Sequence, residues 1–250
     1  MKKNAIEVSN IFFTYPDGHK AIDDISFEIQ KGESVGLIGH NGAGKSTLLS
    51  LLVGLNDLKD GQIKIFDDIL NKQSLIKIRK QIGFLFQDPD DQLFMTTVYD
   101  DVAFGPVNYG FSEDEVDKKV QDALKTVGIY HLKDKAPYKL SGGEKRLAAI
   151  ASILSLEPQI LLMDEPTTAL DPKSRRRFIN IINNLPQTKL IASHDLDMIL
   201  ETCSRVLVMR NGKIIKDGKT EEILYDKQLL ESCDLELPLS IQKCQNCNSK

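Results

Sequence analysis

One short stretch of the chain decides the fold, and it reads Gly39-His40-Asn41-Gly42-Ala43-Gly44-Lys45-Ser46. Apolar residues typical of a strand come directly before it at residues 34–38, and a helical pattern follows at residues 47–53. The stretch therefore matches the pattern GxxxxGKS between a strand and a helix, which is the setting in which such a loop binds phosphate. We predict a Walker A loop at this position.

The residue types in this loop suit a nucleotide with Mg²⁺. Glycines let backbone N–H groups converge on phosphate oxygens at the positive end of a helix. Lys45 is expected to reach the β- and γ-phosphates, and the Ser46 hydroxyl is expected to bind Mg²⁺. The alternative is a glycine-rich turn that only caps the helix.

A second candidate site lies at Asp164 and Glu165, directly after the apolar strand pattern of residues 160–163. Sheets of α/β proteins bind their ligands at the carboxyl ends of the strands, where these two carboxylates would lie. Asp164 suits the coordination shell of Mg²⁺, and Glu165 could polarise an attacking water and accept its proton. The alternative is a pair of solvated acids that cap the end of the strand.

Segments rich in β-branched residues alternate with helical segments, which predicts an α/β fold with a largely parallel sheet. The predicted strands are residues 34–38, 62–66, 82–86, 160–163, 189–192 and 205–209. Two earlier strand patterns, at residues 5–8 and 22–29, alternate in hydrophobicity and are joined through a turn sequence at residues 15–18. We therefore expect an antiparallel edge sheet before the core begins.

Successive helical patterns interrupt this alternation between about residues 97 and 157. They cover residues 98–109, 112–127 and 142–156, and the second begins with a capping box of Ser112 and Glu115. We expect a helical subdomain inserted between core strands, within a single domain of residues 1–241. Residues 242–250 lose the periodicity and are expected to form a disordered tail.

Composition excludes several classes of protein. The 250 residues carry 32 Lys and Arg against 36 Asp and Glu, a net charge of −4, so no broad basic field is available to hold nucleic acid. Apolar stretches fall far short of the ~20 residues that span a bilayer, and the first residues do not resemble a signal peptide, so we expect a cytosolic protein. The four cysteines are expected to be reduced thiols.

Cys244 and Cys247 have the spacing of a metal-binding CxxC pair. Two thiols supply only half of a tetrahedral zinc site, and no other Cys or His lies near them in the sequence. The alternative is a pair of incidental cysteines in the tail. His19, His40 and His131 likewise have no ligand-like partners.

Between the two candidate sites the chain reads Leu140-Ser141-Gly142-Gly143-Glu144, and with this stretch the sequence resembles an ATP-binding cassette (ABC) ATPase. The resemblance extends from residue 6 to about residue 241. Its elements follow the order of the family: Tyr15, Gly39 to Thr47, Gln87, Leu140 to Glu144, Asp164 with Glu165, Ala169-Leu170-Asp171, and His194. The implied fold is a P-loop NTPase core with an antiparallel β edge sheet and an inserted helical subdomain.

The resemblance implies a role for each of these residues. Tyr15 would stack on adenine, and residues 39–47 would bind the nucleotide. Gln87 would reach Mg²⁺ and the attacking water and report their state to a membrane partner. His194 would contact the γ-phosphate and hold the water and Glu165 in line. The alternatives are purely structural roles: Tyr15 as an aromatic residue in a turn, Gln87 as a cap at the end of a strand, and His194 as a hydrogen-bonding residue.

The signature stretch also has physical properties of its own. Ser141 resembles an N-cap, and Gly142 and Gly143 leave bare N–H groups at the start of a helix, which makes a second anion site. In the family this site closes over the ATP of the opposite subunit, so that two cassettes hold two nucleotides, and Asp171 communicates across the dimer. The alternative is a favourable helix start without a ligand.

Other stretches indicate a branch of the family. Glu144 and Leu147 stand where many cassettes carry Gln and Arg, so the charge contact that this arginine makes in the family within the helical subdomain is not carried over to this chain. Residues 88–94 and 97–106 look like the ATPase subunits of energy-coupling-factor importers and of cobalt and nickel importers. Their acidic and aromatic surface would form a groove for a helix of a transmembrane scaffold. The alternative is a solvated acidic loop.

Residues 141–147, 194–198 and 235–240 look more like the metal-import subset than the vitamin subset. We therefore predict an ATPase that uses ATP and Mg²⁺ and drives a cobalt or nickel importer from the cytoplasmic face of the membrane. Its expected partners are a second ATPase subunit, identical or paralogous, a transmembrane scaffold and substrate-binding membrane subunits, without nucleic acid. The alternatives are a vitamin importer, a soluble cassette acting on DNA or ribosomes, and a non-hydrolysing binding module.

Overall fold

The strands form two sheets in this computed structural model, which describes residues 3–242. In chain order the strands are β1 (Asn4–Thr14), β2 (Lys20–Gln30), β3 (Ser34–Ile38), β4 (Asp60–Ile65), β5 (Asp68–Ile69), β6 (Ile82–Leu85), β7 (Ile160–Asp164), β8 (Thr188–Ala192), β9 (Arg205–Arg210) and β10 (Lys213–Lys219). An antiparallel sheet has the order β2-β1-β4-β5. The other sheet has the order β10-β9-β3-β8-β7-β6, and it is parallel except at the β10 edge.

Helices connect and cover these strands. In chain order they are α1 (Lys45–Leu52), α2 (Leu75–Arg79), α3 (Val98–Asn108), α4 (Glu113–Thr126), α5 (Gly142–Leu154), α6 (Pro172–Asn184), α7 (Leu196–Thr202), α8 (Thr220–Leu224) and α9 (Lys227–Ser232). Within residues 3–242, each of them is too short or too polar to cross a lipid bilayer.

Side chains of the parallel strands point alternately into two separate cores. In β7, Leu161 and Met163 pack with the helices that follow β6, whereas Ile160 and Leu162 pack with α1 and the antiparallel sheet. Both faces of the parallel sheet are therefore covered, which is why its strands are nearly continuous apolar runs. The predicted fold class, an α/β P-loop core with an antiparallel edge sheet, is confirmed.

One predicted strand belongs to the other sheet. Residues 62–66 were expected among the core strands, but β4 pairs antiparallel with β1. In β4, Ile63 and Ile65 are buried while the intervening residue is only half-buried, and this alternation suits a sheet with one exposed face. Hydrophobicity alone does not specify the neighbour of a strand, so the tertiary contacts decided this one.

Helices α3, α4 and α5 lie between β6 and β7, where the sequence predicts helices. Thr97 and Ser112 precede α3 and α4 as N-caps, and the Glu115 carboxylate accepts hydrogen bonds from the N–H and the hydroxyl of Ser112. Helix α4 therefore begins where the predicted capping box places it, and α3 begins at its predicted first residue, Val98. Their treatment as a separate subdomain of about residues 97–157 remains a prediction.

The chain after α9 runs back over the core that contains Leu161, Met163 and the helices that follow β6. Leu235 and Leu237 pack against it, and the backbone N–H groups of Leu239 and Ser240 donate to the Asp197 carboxylate at 3.0 and 3.1 Å. The side chain of Gln242 donates to Leu237 O, so the predicted tail starts with a tethered residue. Residues 243–250, including Cys244 and Cys247, lie outside the described residues.

Candidate functional site

The parallel sheet brings the predicted site residues to one edge. Strands β3, β6, β7 and β8 run in the same direction, so their carboxyl ends meet there. The phosphate loop follows β3, Gln87 follows β6, Glu165 follows β7 and His194 follows β8. Because β8 lies between β3 and β7, His194 reaches Glu165 across 29 positions of sequence.

Glycine is required at several positions of the loop between β3 and α1. A Cβ on Gly39 would lie 2.2 Å from the carbonyl oxygen of Met209. Gly44 has a φ of +104°, and a Cβ there would lie 2.5 Å from the carbonyl oxygen of Ala21. Gly42 also has a positive φ, but the position of its missing Cβ faces open space. The loop is thus packed against the protein at both ends and open in the middle.

The open part of the loop exposes the start of α1. Leu48 N–H donates to Gly44 O at 2.9 Å, which is the first turn of the helix. The N–H groups of Lys45, Ser46 and Thr47 come earlier and, as at any helix start, have no partner inside the helix. The turn is held by hydrogen bonds among His40, Asn41 and Ala43. These N–H groups offer the anion site that the sequence predicts.

Lys45 holds a buried positive charge beside these N–H groups. Its Nζ donates to the carbonyl oxygens of Gly39 and His40 at 2.7 and 3.2 Å, and it lies 3.9 Å from Glu165 Oε1. Burial lowers the pKa of Lys45, and the carboxylates of Glu165 and Asp164 oppose that effect. The ammonium group is therefore placed to bind an anion that enters the loop.

Asp164 ends β7 with an unpartnered oxygen. The side chain is buried, and among residues 3–242 its Oδ1 has no hydrogen-bond partner. Burial raises the pKa of Asp164, and the neighbouring Ser46 hydroxyl partly offsets the rise. A carboxylate and a hydroxyl are oxygen ligands of the kind that Mg²⁺ takes in small number, leaving its other positions for water and phosphate. The residues present fit a Mg²⁺ ion held by Ser46 and Asp164.

Glu165 is the most heavily hydrogen-bonded acid of the site. Its Oε2 accepts from the Ser193 hydroxyl and from His194 N–H, both at 3.2 Å, and lies 2.7 Å from His194 Nδ1. Glu165 has a φ of +45°, a backbone conformation uncommon for this residue type. The carboxylate is buried, whereas the imidazole of His194 beside it is 60% exposed.

A cavity of 420 Å³ joins these groups. Nine residues of its wall belong to the predicted site: Asn41, Gly42, Gly44, Lys45, Ser46, Thr47, Gln87, Glu165 and His194. The wall also contains His19 and Ala21, which were not predicted. Tyr15 lies beside it, with its hydroxyl 2.9 Å from Thr47 Oγ1 and its ring nearly parallel to the imidazole of His19 at 6.3 Å. The sequence offered no reason to select His19, since its contact with Tyr15 forms only when β1 pairs with β2.

The signature residues lie outside this cavity, as far as residues 3–242 define its wall. Ser141 caps α5: its hydroxyl accepts from Glu144 N–H at 3.3 Å, and its own N–H donates to the Glu144 carboxylate at 2.8 Å. A Cβ on Gly143 would lie 2.4 Å from Ser174 Oγ, whereas a Cβ on Gly142 would meet no atom within 4 Å. Gly142 therefore presents an open surface, and Gly143 packs against α6.

Asp171 caps the start of α6, close to Gly143. Its carboxylate accepts from the N–H groups of Lys173 and Ser174 at 3.0 and 3.1 Å, and hydrogen bonds from Ser174 lower its pKa. Since Ser174 also lies against Gly143, the starts of α5 and α6 are in contact within one chain.

Sequence reasoning missed a network behind His194. Asp195 accepts a two-pronged ion pair from Arg175 at 2.6 and 2.7 Å and a hydrogen bond from the Thr167 hydroxyl at 3.0 Å. Thr167 follows β7 and Arg175 lies on α6, so the network fixes the backbone next to His194 to the segment after Glu165. These contacts join elements that are distant in sequence, so no local sequence pattern predicts them.

Comparison with known proteins agrees with this geometry. The family model described as ABC transporter matches residues 22–168. A Geobacter sulfurreducens protein classed with ABC transporter ATP-binding proteins is 49% identical over 247 residues, which are 99% of each chain. The energy-coupling factor transporter ATP-binding protein EcfA of Carboxydothermus hydrogenoformans is 42% identical, over 98% of this chain and 92% of that protein.

Solved structures show the same fold. One is cbiO1 from Clostridium perfringens, part of the ABC transporter complex cbiONQ, with 38% identity, a TM-score of 0.83 and coverage of 95% of this chain and 97% of that chain. Another is a dimeric, post-hydrolysis state of the cassette MJ0796 bound to ADP and Pi, with 27% identity, a TM-score of 0.78 and coverage of 86% and 98%. The chain is therefore an ATPase that belongs to the ABC transporter family of ATP-binding cassettes.

Proposed function

We propose that this chain is the ATP-hydrolysing subunit of a membrane importer and that the importer carries cobalt or nickel ions. The observation that carries the catalytic part is the contact between Glu165 and His194 above the phosphate loop. The proposal for the cargo rests on the sequence resemblance and is treated separately below.

Glu165 acts as the general base in this proposal. Its carboxylate is held by Ser193 and by His194, so one oxygen is oriented toward the cavity that Lys45 and Ser46 also line. A fixed carboxylate can accept a proton from water only if the water lies within hydrogen-bond reach, and this packing provides a fixed position. His194 is exposed beside it and is placed to contact a terminal phosphate and to align the base.

The remaining site residues bind the nucleotide. Lys45 and the N–H groups at the start of α1 hold the phosphates, and Tyr15 with His19 offers an aromatic surface for adenine. Ser46 and Asp164 would hold Mg²⁺, with Gln87 at the same wall. When bound, Mg²⁺ supplies positive charge that neutralises the phosphate oxygens.

A second subunit completes the site. The open surface at Gly142 and the free N–H groups at the start of α5 form an anion site that lies away from the cavity of the same chain. Pairing two chains head to tail would place that helix start over the nucleotide of the partner. Asp171, at the adjacent start of α6, would then face the subunit boundary.

The membrane partner docks on the surface that precedes and includes α3. Phe94 and Phe104 are 63% and 44% exposed, and their rings meet edge to face at 4.9 Å. Asp101 is buried beneath them and accepts hydrogen bonds from the N–H groups of Phe94 and Met95, which fixes this surface. Asp90 is paired with Lys145 at 2.6 Å, so the aromatic pair is a better candidate than that acid for the contact.

The docking part is tested with Phe94→Ser, and Ile76→Ser serves as the matched control. Ile76 is 70% exposed on α2, a different helix from the one that carries Phe104. We expect both variants to keep the ATPase activity of the purified chain within about twofold, because exposed side chains contribute little to stability. Only the Phe94 variant should fail to copurify with membrane subunits from its host. Equal recovery from both variants would contradict the docking surface.

The cargo is proposed from residues 141–147, 194–198 and 235–240, which resemble metal importers, and the likeness to cbiO1 supports it. Relatives named energy-coupling factor transporter ATP-binding proteins favour a second candidate, an importer of vitamins. No cargo contact is expected on the ATPase, so only transport can separate the two.

The transport test uses the complex copurified with this chain from its host and inserted into liposomes with ATP. We expect accumulation of radiolabelled cobalt or nickel, and loss of that accumulation when the chain carries Glu165→Gln. Uptake of a vitamin without uptake of either ion would contradict the cargo and leave the ATPase assignment standing. Equal uptake by the parent and the Glu165 variant would contradict the coupling role.

A further inference from the structure

Arg146 is buried without a carboxylate partner. Its side chain is 2% exposed, less than that of any other charged residue within residues 3–242, and no ion pair within that range includes it. Burial lowers its pKa. The guanidinium instead donates from Nη1 to Phe86 O at 2.7 Å and from Nη2 to Gln87 O at 2.6 Å. A buried charge is costly unless it is hydrogen-bonded, and here the two carbonyl groups accept from Nη1 and Nη2, while Nε has no partner within residues 3–242.

These carbonyl groups flank one α-carbon. The carbonyl of Phe86 belongs to the peptide plane before Gln87, and the carbonyl of Gln87 belongs to the plane after it. The planes meet at the α-carbon of Gln87, so fixing both of them fixes the φ and ψ of that residue. The rigid fork of an arginine can hold two acceptors at once, which a lysine ammonium cannot do with the same geometry.

Without Arg146 this backbone has little other support. The ladder between β6 and β7 ends at the pair Leu85 and Met163, so the sheet no longer holds the chain at Gln87. The side chain of Gln87 borders two cavities, one with the phosphate loop and one with Gly142 and Ala169. Small rotations of the backbone at this point would therefore move Gln87 relative to the phosphate site.

Two further contacts tie the same segment to α5. Lys145 pairs with Asp90 at 2.6 Å, and the Gln92 amide donates to Ala149 O and Ser152 Oγ at 2.7 and 3.0 Å. The segment of residues 86–92 is thus attached along α5, the helix whose first turn carries the signature. A rotation of α5 would carry this segment with it.

We propose that Arg146 is a positioning residue, which sets the direction of Gln87 and passes movement of the signature helix to the nucleotide cavity. This inference rests on the role proposed above for Gln87 at the Mg²⁺ site.

The test compares Arg146→Met and Arg146→Lys in the full chain, with Arg177→Met as the matched control. Arg177 lies on α6 and also donates to two backbone carbonyl groups, those of Val127 and Gly128, at 3.1 and 2.9 Å, and neither belongs to residues 86–92. We expect Mg²⁺-free ATP binding within about twofold of the parent in all three. In Arg146→Met, kcat should fall about 10-fold to 100-fold and the Mg²⁺ concentration for half-maximal rate should rise, which is typical of outer-shell partners of a metal site. Arg146→Lys should lie between Arg146→Met and the parent, and Arg177→Met should match the parent.

A double variant shows whether the effect passes through Gln87. If it does, Arg146→Met combined with Gln87→Ala should cost no more kcat than Gln87→Ala alone. Additive losses, or a parent-like rate in Gln87→Ala beside a slow Arg146→Met, would overturn the route. Parent-like kcat and Mg²⁺ dependence in Arg146→Met would overturn the proposal. If Arg146→Met does not fold, parent-like kcat and Mg²⁺ dependence in Arg146→Lys would overturn the proposal. A loss of ATP binding in proportion to the loss of activity would also overturn it. Transport is not measured, so a wrong cargo leaves this result unaffected.

Discussion

Glu165 is buried, has an uncommon backbone conformation and makes three polar contacts, one with Ser193 and two with His194. A general base of this kind contributes about 10²-fold or more to the rate. We expect Glu165→Gln to keep ATP affinity, to lose at least that factor in kcat and to accumulate an ATP-bound dimer, measured by steady-state kinetics and size-exclusion chromatography. Near-normal turnover would contradict the role of Glu165 as the general base.

Lys45→Ala should lose ATP affinity instead, because it removes a charge-assisted phosphate contact.

Asp164 destabilises the folded chain at neutral pH, and it is one of the residues proposed to bind Mg²⁺. Its pKa is raised by burial, so the folded state disfavours the charged form and the residue destabilises the fold above that pKa. We expect Asp164→Asn to raise the free energy of unfolding of the nucleotide-free chain by about 1 kcal/mol at pH 7 while abolishing Mg²⁺-dependent hydrolysis.

The pH dependence of this gain follows from the sign of the shift. The stability gained in Asp164→Asn should shrink as pH falls through the raised pKa of Asp164 in the folded state toward its pKa in the unfolded state. Below both values the carboxyl group of the parent is protonated, and therefore neutral, in the folded and the unfolded state alike. Urea unfolding across a pH series measures it. The exposed Asp91→Asn should change stability by less than about 0.5 kcal/mol. A destabilised Asp164 variant at pH 7 would contradict the argument.

Helix α5 joins two properties in its first turn, a capping box and an open surface at Gly142. Ser141→Arg should abolish hydrolysis without abolishing ATP binding, because a bulky side chain blocks approach of the opposite subunit. Ser141→Ala separates this from capping, since both variants lose the cap and about 1 kcal/mol of stability. We expect only the arginine variant to lose all hydrolysis. Equal rates in the two variants would contradict a steric role at the interface.

At the scale of the whole molecule, the proposed function has two chains share each site. A mixture of Lys45→Ala and Ser141→Arg chains should recover part of the ATPase activity that each lacks alone. In every mixed dimer one site has both halves intact and the other has neither. The absence of both recovered activity and an ATP-dependent dimer in the mixture would contradict composite sites.

Two deletions test what the C-terminal residues contribute to activity and stability. Deletion of residues 243–250 should leave ATPase activity and stability unchanged, as the sequence predicts for a polar segment. Deletion from residue 235 should cost roughly 2 kcal/mol, because Leu235 and Leu237 leave the core and Asp197 loses its N–H partners. Stoichiometric zinc bound by the full chain and absent from the shorter deletion would instead assign Cys244 and Cys247 to a metal site.

Features that depend on neighbouring residues were predictable from the sequence. The phosphate loop, the helix start at Ser141 and the capping box at Ser112 each lie within a few residues, so spacing and residue type specify them. The alternation of strands and helices similarly predicts the α/β fold, because the parallel strands must be apolar on both faces.

Features that depend on the order of strands were settled by the tertiary structure alone. The sequence placed Glu165 and His194 after separate strands, but the 2.7 Å contact exists because β8 inserts between β3 and β7. The same holds for β4 in the antiparallel sheet and for Arg146 beneath Gln87. Pairing between distant segments depends on the sum of many contacts over the whole chain, and no local pattern contains that sum.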